Sequence, residues 1–88
     1  MSKWVAEVRV MLKPSVNDPQ GLSIRNALRT LGFDVGDVRA GKLIQVRVNA
    51  DNRTAAEAAV NAMSEKLLAN PVIEVFEFTL SEATAPVP

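Results

Sequence analysis

Ala6, Val8, Val10 and Leu12 fall on one side of the segment Trp4–Leu12, while Val5, Glu7, Arg9 and Met11 fall on the other. A period of two sustained over this length marks a half-buried strand and does not fit a helix. The same period returns where Ile44, Val46 and Val48 alternate with Leu43, Gln45 and Arg47, and β-branched and aromatic residues fill Val72–Leu80. Between these runs the period lengthens. Ile24, Ala27, Leu28 and Leu31 recur at i, i+3, i+4 and i+7, one face of a short amphipathic helix. Asp18-Pro19 opens that helix, because the carboxylate accepts from orphan amides and proline at the first helical position loses no bond; Gly32 can close the last turn. Thr54-Ala55-Ala56-Glu57 fits a capping box at the head of a second, alanine-rich helix. Its stripe is Ala56, Val60, Met63 and Leu67, and Asn70-Pro71 stops it.

A weaker strand is expected over Val35–Ala40, with a hairpin turn near Ala40–Lys42. The order is then β-α-β-β-α-β. It predicts an α+β fold, a ferredoxin-like split sandwich with a four-stranded antiparallel sheet and two helices on one face. One domain spans residues 1–80, and 81–88 form a C-terminal tail of Ala, Thr and Pro with little to bury, expected to be flexible.

The chain has no Cys and no His, which excludes thiolate and imidazole metal sites, cysteine nucleophiles, Ser-His triads and disulfides. No catalytic residue and no metal ligand set is therefore assigned. Ten basic residues against ten acidic ones leave no basic excess for nucleic acid. Neither a signal-peptide pattern nor an apolar run of about 18 residues is present, so no membrane contact is expected and the cytoplasm is the expected location.

With both helices on one side of the sheet, Val5, Met11, Leu43, Ile73 and Val75 would point to the other, a half-apolar face expected to pair with further copies of the chain as a dimer or tetramer. Two polar motifs are unexplained by any core requirement. Asp18-Pro19-Gln20-Gly21 is either a plain helix entry or a shaped loop presenting Asp18 and Gln20, and Arg39-Ala40-Gly41-Lys42 is either a solvated turn or a partner contact. The β-α-β-β-α-β order serves many tasks. Base stacking would need aromatics where Val8, Val10, Val46 and Val48 stand. An acylphosphatase-like anion loop would need an arginine in Lys13–Gln20, which has none. A regulatory domain of the ACT type, binding a small molecule at a dimer interface, stays open as the alternative.

Taken in order, Val8–Lys13, Asp18–Gly21, Asp37–Lys42 and Glu65–Glu74 resemble the PurS family, the small subunit of phosphoribosylformylglycinamidine (FGAM) synthase. The resemblance covers all but the tail. Phe76 and Phe78 depart from it where tyrosines are expected. It implies a non-catalytic subunit in de novo purine synthesis. Such a subunit bridges a glutaminase and an ATP-dependent synthetase and assists ammonia transfer within an ATP- and glutamine-dependent carbon–nitrogen ligase. ATP and Mg would belong to the synthetase, with no cofactor on this chain. The family match also marks Asp18, Gln20, Gly21, Arg39, Gly41 and Lys42 as partner-facing or turn-forming, the glycines being structural.

Overall fold

Strand β1 (Ser2–Leu12) lies at the centre of a three-stranded antiparallel sheet, between β2 (Gly41–Ala50) and β3 (Glu74–Glu82). This is seen in a computed structural model that describes residues 2–83. Facing residues of antiparallel strands share a side of the sheet. The pairs Trp4↔Val48, Ala6↔Val46 and Val8↔Ile44, with Ala6↔Leu80, Val8↔Phe78 and Val10↔Phe76, therefore put the apolar alternates of all three strands on one face. Because β2 and β3 both run against β1, they are parallel to each other. Helix α2 (Arg53–Met63) carries the chain back between them. This β2-α2-β3 unit therefore has β1 inserted between its two parallel strands.

The core lies where α2 meets that face. Val8, Val10 and Val60 are fully buried beside Ala6 and Ala56, and each such valine contributes roughly 1.5–3 kcal/mol. Trp4 closes one end of the core at 8% exposure. Its indole Nε1 donates to the Ala50 carbonyl at 3.3 Å, and the Arg53 guanidinium sits 5.9 Å from the ring centroid. A buried indole needs such an acceptor, and the cation over its face adds to the packing.

Helix α2 differs from its expected form at both ends. Asn52, not Thr54, is the N-cap, its side chain accepting from Ala55 N–H at 2.8 Å, so the helix starts at Arg53. Past Met63 the chain widens into a π turn over Ser64–Leu68, where Ala69 N–H bonds to the Ser64 carbonyl. The buried Ser64 hydroxyl donates to the Val60 carbonyl at 2.8 Å. The wider turn takes one more residue than an α turn, so the stripe slips by one. Leu68 and Ala69 face the core, and Leu67, expected there, is 82% exposed.

Two further expectations are corrected at the other end of the sheet. Val35–Ala40 forms no strand, and the hairpin turn near Ala40–Lys42 is absent because Gly41 and Lys42 already pair with Met11 and Val10. The sheet thus has three strands among the described residues rather than four. Helix α1 (Pro19–Thr30) forms as the periodicity requires, with proline at its start, and ends in a Schellman turn. There Phe33 N–H reaches the Leu28 carbonyl and Gly32 N–H that of Arg29, with Gly32 at φ 95°. Yet α1 does not lie on the sheet beside α2. It projects from the sheet end as an arm, Ile24, Ala27 and Leu31 are exposed, and only Leu28 is half-buried. The radius of gyration is 16.6 Å and the longest extent 51 Å, against about 12 Å expected for a compact chain of this length. Of residues 81–88, assigned to a tail, Ser81 and Glu82 continue β3, and 84–88 lie outside the described residues.

Candidate functional site

The two polar motifs meet at the base of the arm. Loop residues after β1 and the segment returning to β2 run side by side there, and backbone groups released from regular structure need partners. Asp18, buried, supplies two of them. One carboxylate oxygen accepts from Gly21 N–H at 3.0 Å as the α1 cap, and the other accepts from Ala40 N–H at 2.7 Å across the loop. Arg39 answers in the opposite sense, its Nη2 donating to the carbonyls of Lys13 at 3.0 Å and Val16 at 2.8 Å. Gly21 is buried where these strands of chain touch. A Cβ there would collide with the Val38 carbonyl oxygen. Gly41 sits opposite Met11 in the ladder, and a Cβ would collide with the Met11 thioether.

Asp18, Gln20, Ala40, Gly41, Lys42 and Glu74 line one cleft of about 240 Å³ at this end of the sheet. The sequence reading selected four of these six residues, and the fold brings them together. Gln20 and Lys42 are exposed, whereas Asp18 and Arg39 are turned onto the chain's own backbone. Glu74 was not singled out. It fixes the turn before β3 by accepting from Asn70 N–H at 2.7 Å, and its second oxygen lies 3.5 Å from Lys42 Nζ. The Asn70-Pro71 stop and a carboxylate four residues on were the available signal.

On the bare face of the sheet, Met11, Leu43 and Val75 gather with Arg9 and Glu77 around a hollow of about 400 Å³. Arg9 and Glu77 are ion-paired there at 3.1 Å. Ile73, also exposed, lies just before β3 and its carbonyl accepts from Lys13 N–H. Val5 is apart from this group, half-buried further along β1 between Arg47 and Ser81. The expected apolar face is therefore an apolar end. Among the described residues no three His, Cys, Asp or Glu side chains gather as a metal site, and no helix is long and apolar enough to cross a membrane.

The bonds from Gly21 and Ala40 N–H hold the Asp18 carboxyl below its ordinary pKa, and nearby Arg39 adds to the effect against the cost of burial. A lowered folded-state pKa makes a stabilising contribution that is present above the unfolded value of about 3.9 and is lost as pH falls through the folded one. Asp18→Asn should remove that acid-side loss. An amide keeps one acceptor but turns an NH₂ toward the second N–H, so the variant should be less stable at pH 7 and closer to wild type near pH 2. Urea melts at the two pH values measure this.

The cleft, the polar motifs and the sheet can be compared with known proteins. The PurS family model, described as phosphoribosylformylglycinamidine (FGAM) synthase, matches residues 5–82. The chain belongs to the PurS family. The PurS subunit of FGAM synthase from Bacillus subtilis is 40% identical over 83 residues, 93% of this chain and 98% of the relative. That from Archaeoglobus fulgidus is 40% identical over 79 residues, 89% and 99% of the two chains. Thermus thermophilus PurS superposes with a TM-score of 0.84 at 38% identity over 92% of this chain and 98% of that one. A chain of the Thermotoga maritima PurLQS structure gives 0.81 at 34% over 94% and 100%. This PurS chain is thus a subunit of the FGAM synthase of purine biosynthesis, as the ordered motifs imply.

Proposed function

We propose that this PurS chain is a non-catalytic, cytoplasmic subunit that bridges the glutaminase and the ATP-dependent synthetase of FGAM synthase and shelters the transfer of ammonia between them. ATP and Mg are then held by the synthetase and none by this chain. The observation that carries the reading is the convergence of Gln20, Gly41, Lys42 and Glu74 on one exposed cleft braced from within by Asp18 and Arg39. The homologous PurS lies within a PurLQS structure, which supports a place between larger subunits. The need for a third subunit is physical. Free ammonia at neutral pH is mostly protonated and diffuses away, so a docked, water-shielded route raises its effective concentration at the acceptor.

The chain also pairs with itself in this reading. Met11, Leu43 and Val75 stand exposed on the bare face and Ile73 is exposed just before β3, and burying the four would contribute roughly 6–12 kcal/mol as an upper limit at about 1.5–3 each. That is comparable with the whole stability of about 5–15 kcal/mol expected of such a domain. Val5 stands outside that cluster and contributes less.

Lys42 gives the clean test of the cleft. Reversal at Arg39 would break its bonds to Lys13 and Val16, whereas Lys42 is exposed and its pair with Glu74 is worth less than about 1 kcal/mol. Lys42→Glu should therefore fold normally and bind the other two subunits about tenfold more weakly, as a lost charged contact requires. Sedimentation of the three purified subunits with glutamine and ADP measures this, and undiminished complex formation would exclude the cleft as the docking surface. The alternative of a small-molecule regulatory domain predicts that a free amino acid raises the melting temperature of this chain alone.

A further inference from the structure

The connection from α2 to β3 holds aliphatic side chains out of the protein instead of tucking them in. Leu67 stands 82% exposed and Val72 75%, with Pro71 exposed between them in sequence. Single exposed apolar residues are ordinary, but these are fixed in place. The π turn over Ser64–Leu68 sends Leu68 and Ala69 inward and leaves Leu67 outside. Val72 is pinned by the Asn70 side chain, which accepts from its N–H at 3.0 Å. The Asn70 carbonyl accepts from Ile73 N–H at 3.1 Å and Glu74 N–H at 2.7 Å, and the Glu74 carboxylate accepts from Asn70 N–H. A turn closed by these bonds loses little freedom when a partner covers it. It borders a hollow of about 320 Å³ with an apolar wall of Ala69, Pro71, Val75 and Phe76, and with Lys13, Glu65 and Glu74 as its polar lining. Raised aliphatic groups and an apolar hollow with polar groups around them are the parts of an interface core and its rim. Glu74 decides which interface, because it lines both this hollow and the arm-base cleft. The two form one continuous footprint.

We infer that this corner is the apolar foothold of the larger subunit that docks in the cleft. Leu67 and Val72 enter an apolar pocket of that subunit, and an aliphatic side chain of its surface fills the hollow in return, while a carboxylate of the same surface meets Lys42. Resting on the cleft reading above, the corner supplies what that cleft lacks, since an exposed charge pair contributes little by itself.

Leu67→Ser combined with Val72→Ser should raise the dissociation constant of this chain from the other two subunits about a hundredfold, roughly tenfold for each aliphatic group withdrawn. Sedimentation with glutamine and ADP measures it. The urea midpoint of the double variant and its mass by light scattering should match wild type, because both side chains are exposed in the fold. The chain has no cysteine, so Leu67→Cys offers a single thiol for a maleimide benzophenone. Irradiation of the assembled three-subunit complex should join it to a peptide of a larger subunit. Weak binding by Lys42→Glu with full binding by the double variant would overturn the corner and leave the cleft standing. The opposite pattern would overturn the cleft and keep the corner as the docking surface. Adducts joining two copies of this chain, or an altered mass of the double variant alone, would overturn the corner by placing it between copies.

Discussion

Trp4→Ala is expected to lower the unfolding free energy by about 3–5 kcal/mol, the largest loss any single side chain of this protein should cause. The indole is 8% exposed and packs among Val48, Ala50 and Leu80 at the end of the core. Truncation removes that area, leaves a cavity between β1 and α2, and strips the Ala50 carbonyl of its donor. It also removes the ring beneath Arg53, which ties the head of α2 to β3 by donating to the Leu80 carbonyl at 2.9 and 3.2 Å. Against a total of about 5–15 kcal/mol, the variant should have a measurable unfolded fraction at 37 °C. Urea melts at one fixed protein concentration are the measurement, because the proposed self-association would make apparent stability depend on concentration. A loss below about 1 kcal/mol, the range of ordinary surface substitutions, would contradict the packing described.

Gly21→Val should do the reverse: spare the sheet core and disable the arm. The added Cβ would meet the Val38 carbonyl, which is backbone and cannot swing aside, and would stand 2.7 Å from the Asp18 carboxylate. Overpacking of this kind costs typically about 1–3 kcal/mol, and the strain falls on the bonds from Asp18 to Gly21 and Ala40. The near-ultraviolet signal of Trp4, remote from the arm at the opposite end of β1, should be kept. Glutamine-dependent activity of the reconstituted synthase should fall at least tenfold, since the cleft proposed for docking and the arm share this base. Full activity with Gly21→Val would show that neither needs the brace.

Much of this was legible in the sequence because side-chain period and strand register are the same fact. Ala6, Val8 and Val10 alternate in the chain and are therefore buried together, and Asp18-Pro19 caps a helix wherever that helix lies. The misses have specific causes. A π turn is invisible to a count of 3.6, so Leu67 was placed where Leu68 and Ala69 stand. Val35–Ala40 has the length of a strand, but Gly36 and Asp37 weaken it. The Ala40 amide is taken by Asp18, so no ladder forms. The apolar stripe of α1 shows only that the helix is to be covered, and the surface covering it need not belong to the same chain. At the site, the two polar motifs and the resemblance to the family marked Asp18, Gln20, Gly21, Arg39, Gly41 and Lys42 without separating inward from outward. Hydrogen bonds make that division, turning Asp18 and Arg39 onto the backbone and leaving Gln20 and Lys42 exposed. Glu74 escaped notice because its partners are an amide four residues before it and a lysine on another strand.

The most direct test of a bridging, non-catalytic role compares two nitrogen sources in the synthase rebuilt from purified glutaminase and synthetase, with and without this chain. With glutamine, FGAM formation should depend on the chain; with a high concentration of ammonium chloride in place of glutamine, the synthetase should turn over at the same rate whether the chain is present or not. Equal glutamine-dependent rates in its absence would contradict the account.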